Sequence, residues 1–245
     1  MGILKTLKRK FINLNNLFTK SLVISNENII VTGANSGIGY QLVKILSNYE
    51  NNIFAFVNSS DENVIKIKNE NVQIKKCNFL NPDNINDYAE EIKKFKPNIL
   101  INCAAIFGSE NQNFEDIVTK EFVNSININV LAPIVLIQNS LKGNCLRQVI
   151  NISSLMGSMS DNKGNYYFYR SSKSLLNSIT QNLSSDLNQK INIFCIHPGD
   201  VKTKMNTGGL VSPEIAAQKI INVCCKNSLN YRGKFIDTNG KILSW

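Results

Sequence analysis

Histidine is almost missing from this chain: His197 stands alone, so a zinc site built on histidines is excluded. The six cysteines, Cys77, Cys103, Cys145, Cys195, Cys224 and Cys225, form no CxxC pair, and several sit in strongly apolar runs such as INIFCI. That usage predicts buried free thiols in a reducing compartment, with no disulfide framework and no metal. No run approaches the roughly 18 apolar residues of a membrane span. Disorder is excluded too, because 43% of the residues are hydrophobic and only 18% charged. A chain of 245 residues that is soluble and globular can bury one sizeable core. Acidic residues are the scarcer charge, 18 against 27 basic ones, for a net charge of +9. The lysines are spread along the chain beside 38 asparagines and abundant isoleucine, the drift expected of AT-rich coding. A nucleic-acid footprint would cluster instead, so no nucleic-acid partner is expected.

Residues 1–26 contain no acid and five bases, Lys5, Lys8, Arg9, Lys10 and Lys20. Leu4, Leu7, Phe11, Leu14 and Phe18 recur at spacings of three or four, the pattern of a basic amphipathic helix. Three uses of this arm stay open: packing on the domain or on a partner subunit, weak membrane-surface contact through residues 1–20, and a cleaved organelle presequence. MGILKT also fits the loose N-myristoylation pattern. There is no convincing secretory signal, so a cytoplasmic location is expected, with the periphery of a membrane as the alternative.

From Asn28 onward apolar runs of four to six residues alternate with amphipathic stretches. Strands are expected near 28–32, 53–57, 72–76, 98–103, 147–152, 191–196 and 234–237, and helices near 38–49, 84–95, 114–141, 170–188 and 213–227. This alternation predicts an α/β fold, a single-domain Rossmann-type doubly wound sheet of about seven parallel strands, with ligand at their carboxyl ends.

The first expected strand, NIIVT, runs into GANSGIG and then a helix, placing Gly33, Gly37 and Gly39 where an anion would meet a helix N-terminus. The spacing TGxxxGxG is neither GxGxxG nor a P-loop, since no Lys-Ser/Thr follows. Further motifs come in chain order: NCAA (Asn102–Ala105), NINVLAP, VINISS, YRSSK and HPGDVKT. Together these resemble the short-chain dehydrogenase/reductase family, over roughly residues 28–245. The ending GKFIDTNGKILSW is similar to its small carbonyl-reductase-like and C-factor-like branch. Residues 27–245 then form the NAD(P)-binding domain, and residues 1–26 the arm.

Tyr169 and Lys173 stand four apart, on one face of a helix. A phenol titrates near 10, and a neighbouring ammonium is expected to lower that value. The resemblance makes Tyr169 the general acid/base, Ser154 the group that holds the substrate oxygen, and Asn129 the residue that anchors a water in the proton relay. It also implies that Lys173 hydrogen-bonds the nicotinamide ribose. Ser153 and Asn127 are the less favoured neighbours, and Tyr166 with Arg170 is a second pair of the same spacing that lacks the lysine. The cofactor is implied to rest on Gly33, Ser36, Gly37, Ile38 and Gly39, on Asn58, Asn78 and Phe79, and on Asn102 and Ala104. Tyr169 and Lys173, then Pro198, Gly199, Val201 and Thr203, complete the set. His197, before Pro198 and Gly199, is expected to be structural, and Trp245 to be packing.

No acid stands at the end of the second strand in AFVNSS, where one would bind ribose hydroxyls, so NADP(H) is slightly favoured over NAD(H). Asn58 and Asn78 depart from the family, which often has Arg and usually Asp there. Only some nine residues, in the stretch around MNTGGLVSP, separate Thr203 from the helix at Pro213, so an open pocket is expected. The resemblance implies an NAD(P)-dependent oxidoreductase that interconverts a small-molecule carbonyl and a secondary alcohol, working as a homodimer or homotetramer. A dinucleotide-binding regulator with little turnover is the alternative. The apolar stretch VLAPIVLIQ and Leu175, Ile179, Leu183 and Leu187 could form the subunit surface or the core.

Overall fold

The computed structural model describes residues 23–58, 67, 69–109, 112–225 and 231–245. The expected N-terminal arm lies, up to Leu22, outside the described residues. The strands are β1 (Asn28–Thr32), β2 (Asn52–Val57), β3 (Val72–Lys76), β4 (Ile99–Asn102), β5 (Gln148–Ile152), β6 (Asn192–His197) and β7 (Phe235–Asp237). They form one sheet in the order β3-β2-β1-β4-β5-β6-β7, parallel throughout. The order reverses between β1 and β4, which opens a crevice at their carboxyl ends.

The helices are α1 (Gly37–Leu46), α2 (Ala89–Phe95), α3 (Thr119–Ile126), α4 (Ala132–Leu141), α5 (Tyr167–Asp186) and α6 (Pro213–Cys225). Helices cover both faces, which is why the strands read as unbroken apolar runs. Alternate residues go to opposite sides. Ile29, Val31, Ile53, Ala55, Ile99 and Ile101 pack with Leu42, Val43 and Leu46 of α1 and Ala217, Ile220 and Ile221 of α6. Ile30, Phe54, Phe56, Leu100, Val149 and Ile193 pack with Ile85, Ile92, Leu136 and Ile137 on the other side.

Two helices differ from their expected form. The 84–95 helix opens as a 3-10 stretch, Pro82–Tyr88, with the Asn81 side chain accepting the Asp83 N–H. The 114–141 helix starts at Thr119, after a 3-10 turn at Phe114–Asp116, and contains a π segment at Asn127–Leu131. Proline explains that widening: Pro133 has no N–H to give the carbonyl four residues back and its ring crowds it, and the Ala132 N–H donates to the Asn127 carbonyl instead.

The whole of Thr119–Leu141 is 23 residues of helix, within which a window of 18 residues has a mean hydropathy of 1.3, long and apolar enough by composition to cross a membrane. No such run was expected, because Asn124, Asn127 and Asn129 interrupt the apolar residues. Here Val130, Ala132, Leu136 and Ile137 are buried within the domain. Leu183 and Leu187 of the suggested subunit surface also pack into the core, whereas Leu131 and Leu175 are exposed. Trp245 stacks on Phe235 at 6.0 Å between ring centroids, a packing contact as expected.

Candidate active site

Chain geometry at the end of β1 builds a cradle for an anion. Gly33 has φ +68°, and a Cβ there would lie 2.8 Å from the Ala104 Cα; a Cβ on Gly39 would lie 2.3 Å from the Gly33 carbonyl oxygen. Only glycine lets the turn, the first turn of α1 and the end of β4 approach this closely. Ser36 caps α1 without a side-chain hydrogen bond, and no acid occupies the first turn, so the helix N-terminus faces the crevice with its own N–H groups. The Thr32 hydroxyl accepts the N–H groups of Cys103 and Ala104 at 2.9 Å each, tying β1 to the chain after β4. Sequence reasoning gave Thr32 no role beyond the motif spacing.

This cradle is one end of a cleft of about 1040 Å³. Gly33, Ser36, Gly37, Ile38 and Gly39, then Asn58, Asn78, Phe79 and Ala104, line it, as do Pro198, Gly199, Val201 and Thr203. Asn35 accepts the Asn58 N–H at 3.0 Å, and Asn78 accepts the Leu80 N–H at 3.0 Å. Asn102 is not brought to the cleft. It is buried, and its amide nitrogen donates to Asn151 on β5 at 2.8 Å, because its side chain lies beneath the crevice floor.

The other end holds Ser154, Tyr169 and Lys173. Ser154 follows β5 and begins a 3-10 turn, Leu155–Gly157, its hydroxyl accepting the Met156 N–H at 3.2 Å. Ser153 points the other way, its hydroxyl donating to Asn177 of α5 at 2.7 Å. Tyr169 lies in the first turn of α5, and Ser154 hydrogen-bonds its phenol. Lys173, one turn on, is 2% exposed; its Nζ donates to the Ile152 carbonyl at 2.8 Å and lies 5.7 Å from the Tyr169 ring centroid. The alternative pair does not converge: Arg170 donates to the Met156 carbonyl and does not line the cleft.

Burial dominates the electrostatics. It pushes the Tyr169 phenol up to about 12, against the Ser154 hydrogen bond, which lowers it, and with Cys103 adding to the rise. Burial also brings Lys173 down to about 8. Burial, and not the neighbouring ammonium, therefore governs the phenol, contrary to the expected lowering, since desolvation penalises the phenolate and the ammonium alike. At pH 7 the phenol is protonated and the lysine still charged.

Asn129 sits on the π segment and is buried. Its side chain accepts the Ile106 N–H at 2.8 Å and donates to the Ile106 carbonyl and the Ser172 hydroxyl, both at 2.9 Å. It thus ties the strand-end loop to α5. His197 takes a structural part: its Nδ1 accepts the Leu155 N–H at 3.2 Å, and burial holds the imidazole below its ordinary range, with Asp237 and Asp200 opposing. Beyond Tyr169 the cleft is walled by Ile106, Phe107, Leu155, Met156, Tyr166 and Met205. The 203–211 segment folds back on itself, with Lys202 and Leu210 N–H groups donating to the Val211 and Asp200 carbonyls.

The sequence matches the family described as short chain dehydrogenase over residues 27–209. An uncharacterized oxidoreductase of Saccharomyces cerevisiae is 28% identical over 243 residues, covering 86% of this chain and 94% of that protein. The C-signal protein of Myxococcus xanthus is 30% identical over 156 residues, covering 60% of this chain and 92% of its own length. Among solved structures, the carbonyl reductase Sniffer of D. melanogaster superposes with a TM-score of 0.82 at 26% identity, covering 91% of this chain and 100% of that one. The glycine cradle, the Ser154, Tyr169 and Lys173 constellation and these similarities lead to one conclusion: the chain belongs to the short-chain dehydrogenase family and is an oxidoreductase.

Proposed function

We propose that this enzyme reduces the carbonyl group of a small to medium molecule to a secondary alcohol, using a nicotinamide dinucleotide and taking NADPH ahead of NADH. The observation that carries this reading is the convergence of Ser154, Tyr169 and Lys173 at one end of the cleft whose other end is the glycine cradle. The residues present suit a dinucleotide. Gly33 and Gly39 leave the space that a Cβ would fill, and the N-terminus of α1 is free to receive a phosphate.

When bound, the reduced nicotinamide supplies the hydride that adds to the carbonyl carbon. Tyr169 delivers the proton to the oxygen, and Ser154 donates a hydrogen bond to the charge developing there. The phenolate left behind faces the Lys173 ammonium, and solvent returns the proton. A phenol held at about 12 is protonated throughout the neutral range and so is ready to donate in the reductive direction. The preference for NADPH rests on the end of β2, where Asn58 and Asn35 present amides in place of an acid.

Titration with NADPH and NADH, followed by fluorescence, together with a Tyr169→Phe variant assayed on a set of aldehydes and ketones, tests the reading. Binding with turnover that the variant loses is the expected result; no binding of either dinucleotide refutes it. Exposed Val123, Leu131 and Leu175 give apolar surface for a homodimer or homotetramer, which light scattering would read. Weak membrane contact through residues 1–20 predicts flotation with anionic liposomes that is lost when the segment is removed.

A further inference from the structure

Gln112 lies outside every motif, yet its side chain is among the most fully engaged polar groups near the site. It is 2% exposed. Its Oε1 accepts the N–H groups of Phe168 and Tyr169 at 3.0 and 3.3 Å, and its Nε2 donates to the carbonyls of Phe107 and Ser109, both at 2.8 Å. Two of the four partners line the cleft. Phe107 walls the substrate end of the cleft, and Tyr169 is the proton donor in the first turn of α5.

The first N–H groups of a helix have no partner within it. In α5 the usual remedy is missing, because Tyr166 at the cap is in the left-handed region at φ 53°, makes no side-chain cap and is followed by no acid in the first turn. Gln112 provides the cap from 56 residues upstream. The same amide fixes the loop that carries Phe107, whose ring centroid lies 4.9 Å from that of Tyr169. Packing there is tight: Gly108 has φ +92°, and a Cβ on it would lie 3.1 Å from the Phe168 ring and 3.4 Å from Gln112 Nε2.

We propose that Gln112 is a positioning residue: one buried amide holds the Phe107 wall and the N-terminus of the catalytic helix in a single register, so that a carbonyl resting on Phe107 meets the Tyr169 hydroxyl. It touches neither substrate nor cofactor and acts through both neighbours. The oxygen side governs where Tyr169 stands, and hence kcat. The nitrogen side governs the wall, and hence KM. This assignment rests on the carbonyl-reducing reading above.

The test uses the full chain with Gln112→Met and Gln112→Glu. Amide hydrogen exchange at Phe168 and Tyr169, the Kd for NADPH, and kcat and KM on benzaldehyde and 2-butanone are measured for each. Methionine fills the space without hydrogen bonds. Protection at the two amides should fall about fivefold, the equivalent of one ordinary hydrogen bond. Protection in the middle of α5 and the Kd for NADPH should hold, while kcat falls about tenfold or more and KM rises. Glutamate keeps the acceptor and loses the two donors, so protection and most of kcat should return while KM stays high.

A methionine variant with the protection and kcat of the wild type overturns the proposal. So does one in which mid-helix protection and NADPH binding are lost together, because the residue then merely supports the fold. NADPH binding by the wild type with protection unchanged in Gln112→Met sinks this inference alone. A wild type that neither binds NADPH nor turns over carbonyls takes the enzyme reading down with it.

Discussion

Replacing Lys173 with methionine should make this protein more stable and inactive at once. The lysine is 2% exposed, and burial brings it from 10.5 down to about 8. At about 1.4 kcal/mol for each pH unit, keeping that ammonium charged in the folded state costs about 3 kcal/mol at pH 7. Methionine has a similar length and removes the charge, but it leaves the Ile152 carbonyl without its donor, a loss of about 1 kcal/mol. The net gain is about 2 kcal/mol, or roughly 5 °C in Tm for a domain of this size. The pH dependence has a definite sign. Below pH 8 both folded and unfolded wild type carry the proton and the whole cost is present. Between 8 and 10.5 the unfolded chain holds more protons than the folded one, so wild-type stability rises with pH and the advantage of Lys173→Met shrinks. Thermal unfolding of both proteins at pH 7 and pH 9.5, with dinucleotide turnover in parallel, checks this. A variant no more stable than wild type at pH 7, or a gain that is the same at both pH values, would refute the reasoning.

Other perturbations separate the two ends of the cleft. Gly39→Ala places a Cβ 2.3 Å from the Gly33 carbonyl oxygen, so calorimetry should show dinucleotide affinity reduced at least about tenfold. Ser154→Ala should cost about 10²-fold in kcat, the scale of one lost donor to a developing oxyanion, with the NADPH Kd unchanged within error. For the wild type, kcat/KM for NADPH at saturating carbonyl should be level from pH 6 to 7 and about tenfold lower at pH 9, as Lys173 loses its proton near 8; a level profile to pH 10 would exclude that titration.

Sequence reading went furthest where local pattern and tertiary demand coincide. β1 and β5 are buried on both faces, so NIIVT and QVINI read as strands without help from their neighbours. Tyr169 and Lys173 stand four apart on one helix face, and the family resemblance joins Ser154 to them. The pattern gave out where a side chain answers to a distant one. Asn102 belongs to a motif, yet Asn151 turns it beneath the crevice. The π segment at Asn129 follows from Pro133 and its missing N–H, a consequence visible only once the helix is known to run on through that proline. Gln112 lies in SENQN, a stretch that reads as loop, and its partners Phe168 and Tyr169 become neighbours only when the loop after β4 meets α5.

The phenol is the sharpest case. Spacing alone puts an ammonium beside Tyr169 and predicts a lowered value, because charge is legible in sequence and solvent exclusion is not. In the folded protein Phe107 packs against the ring, and the same burial that raises Tyr169 to about 12 lowers Lys173 to about 8. Burial moves a neutral acid and a cationic acid in opposite directions, so the phenol comes to stand well above the ammonium, at about 12 against about 8, where in water the two lie close together. Passing the phenol proton to the lysine is therefore unfavourable, and Lys173 acts on Tyr169 through its charge. The cost of that arrangement falls on Lys173, which stays charged at pH 7 with a single backbone carbonyl as its hydrogen-bond acceptor. Here the site departs from what would stabilise the fold, and that departure gives the protonated phenol a partner able to take up the charge it leaves behind.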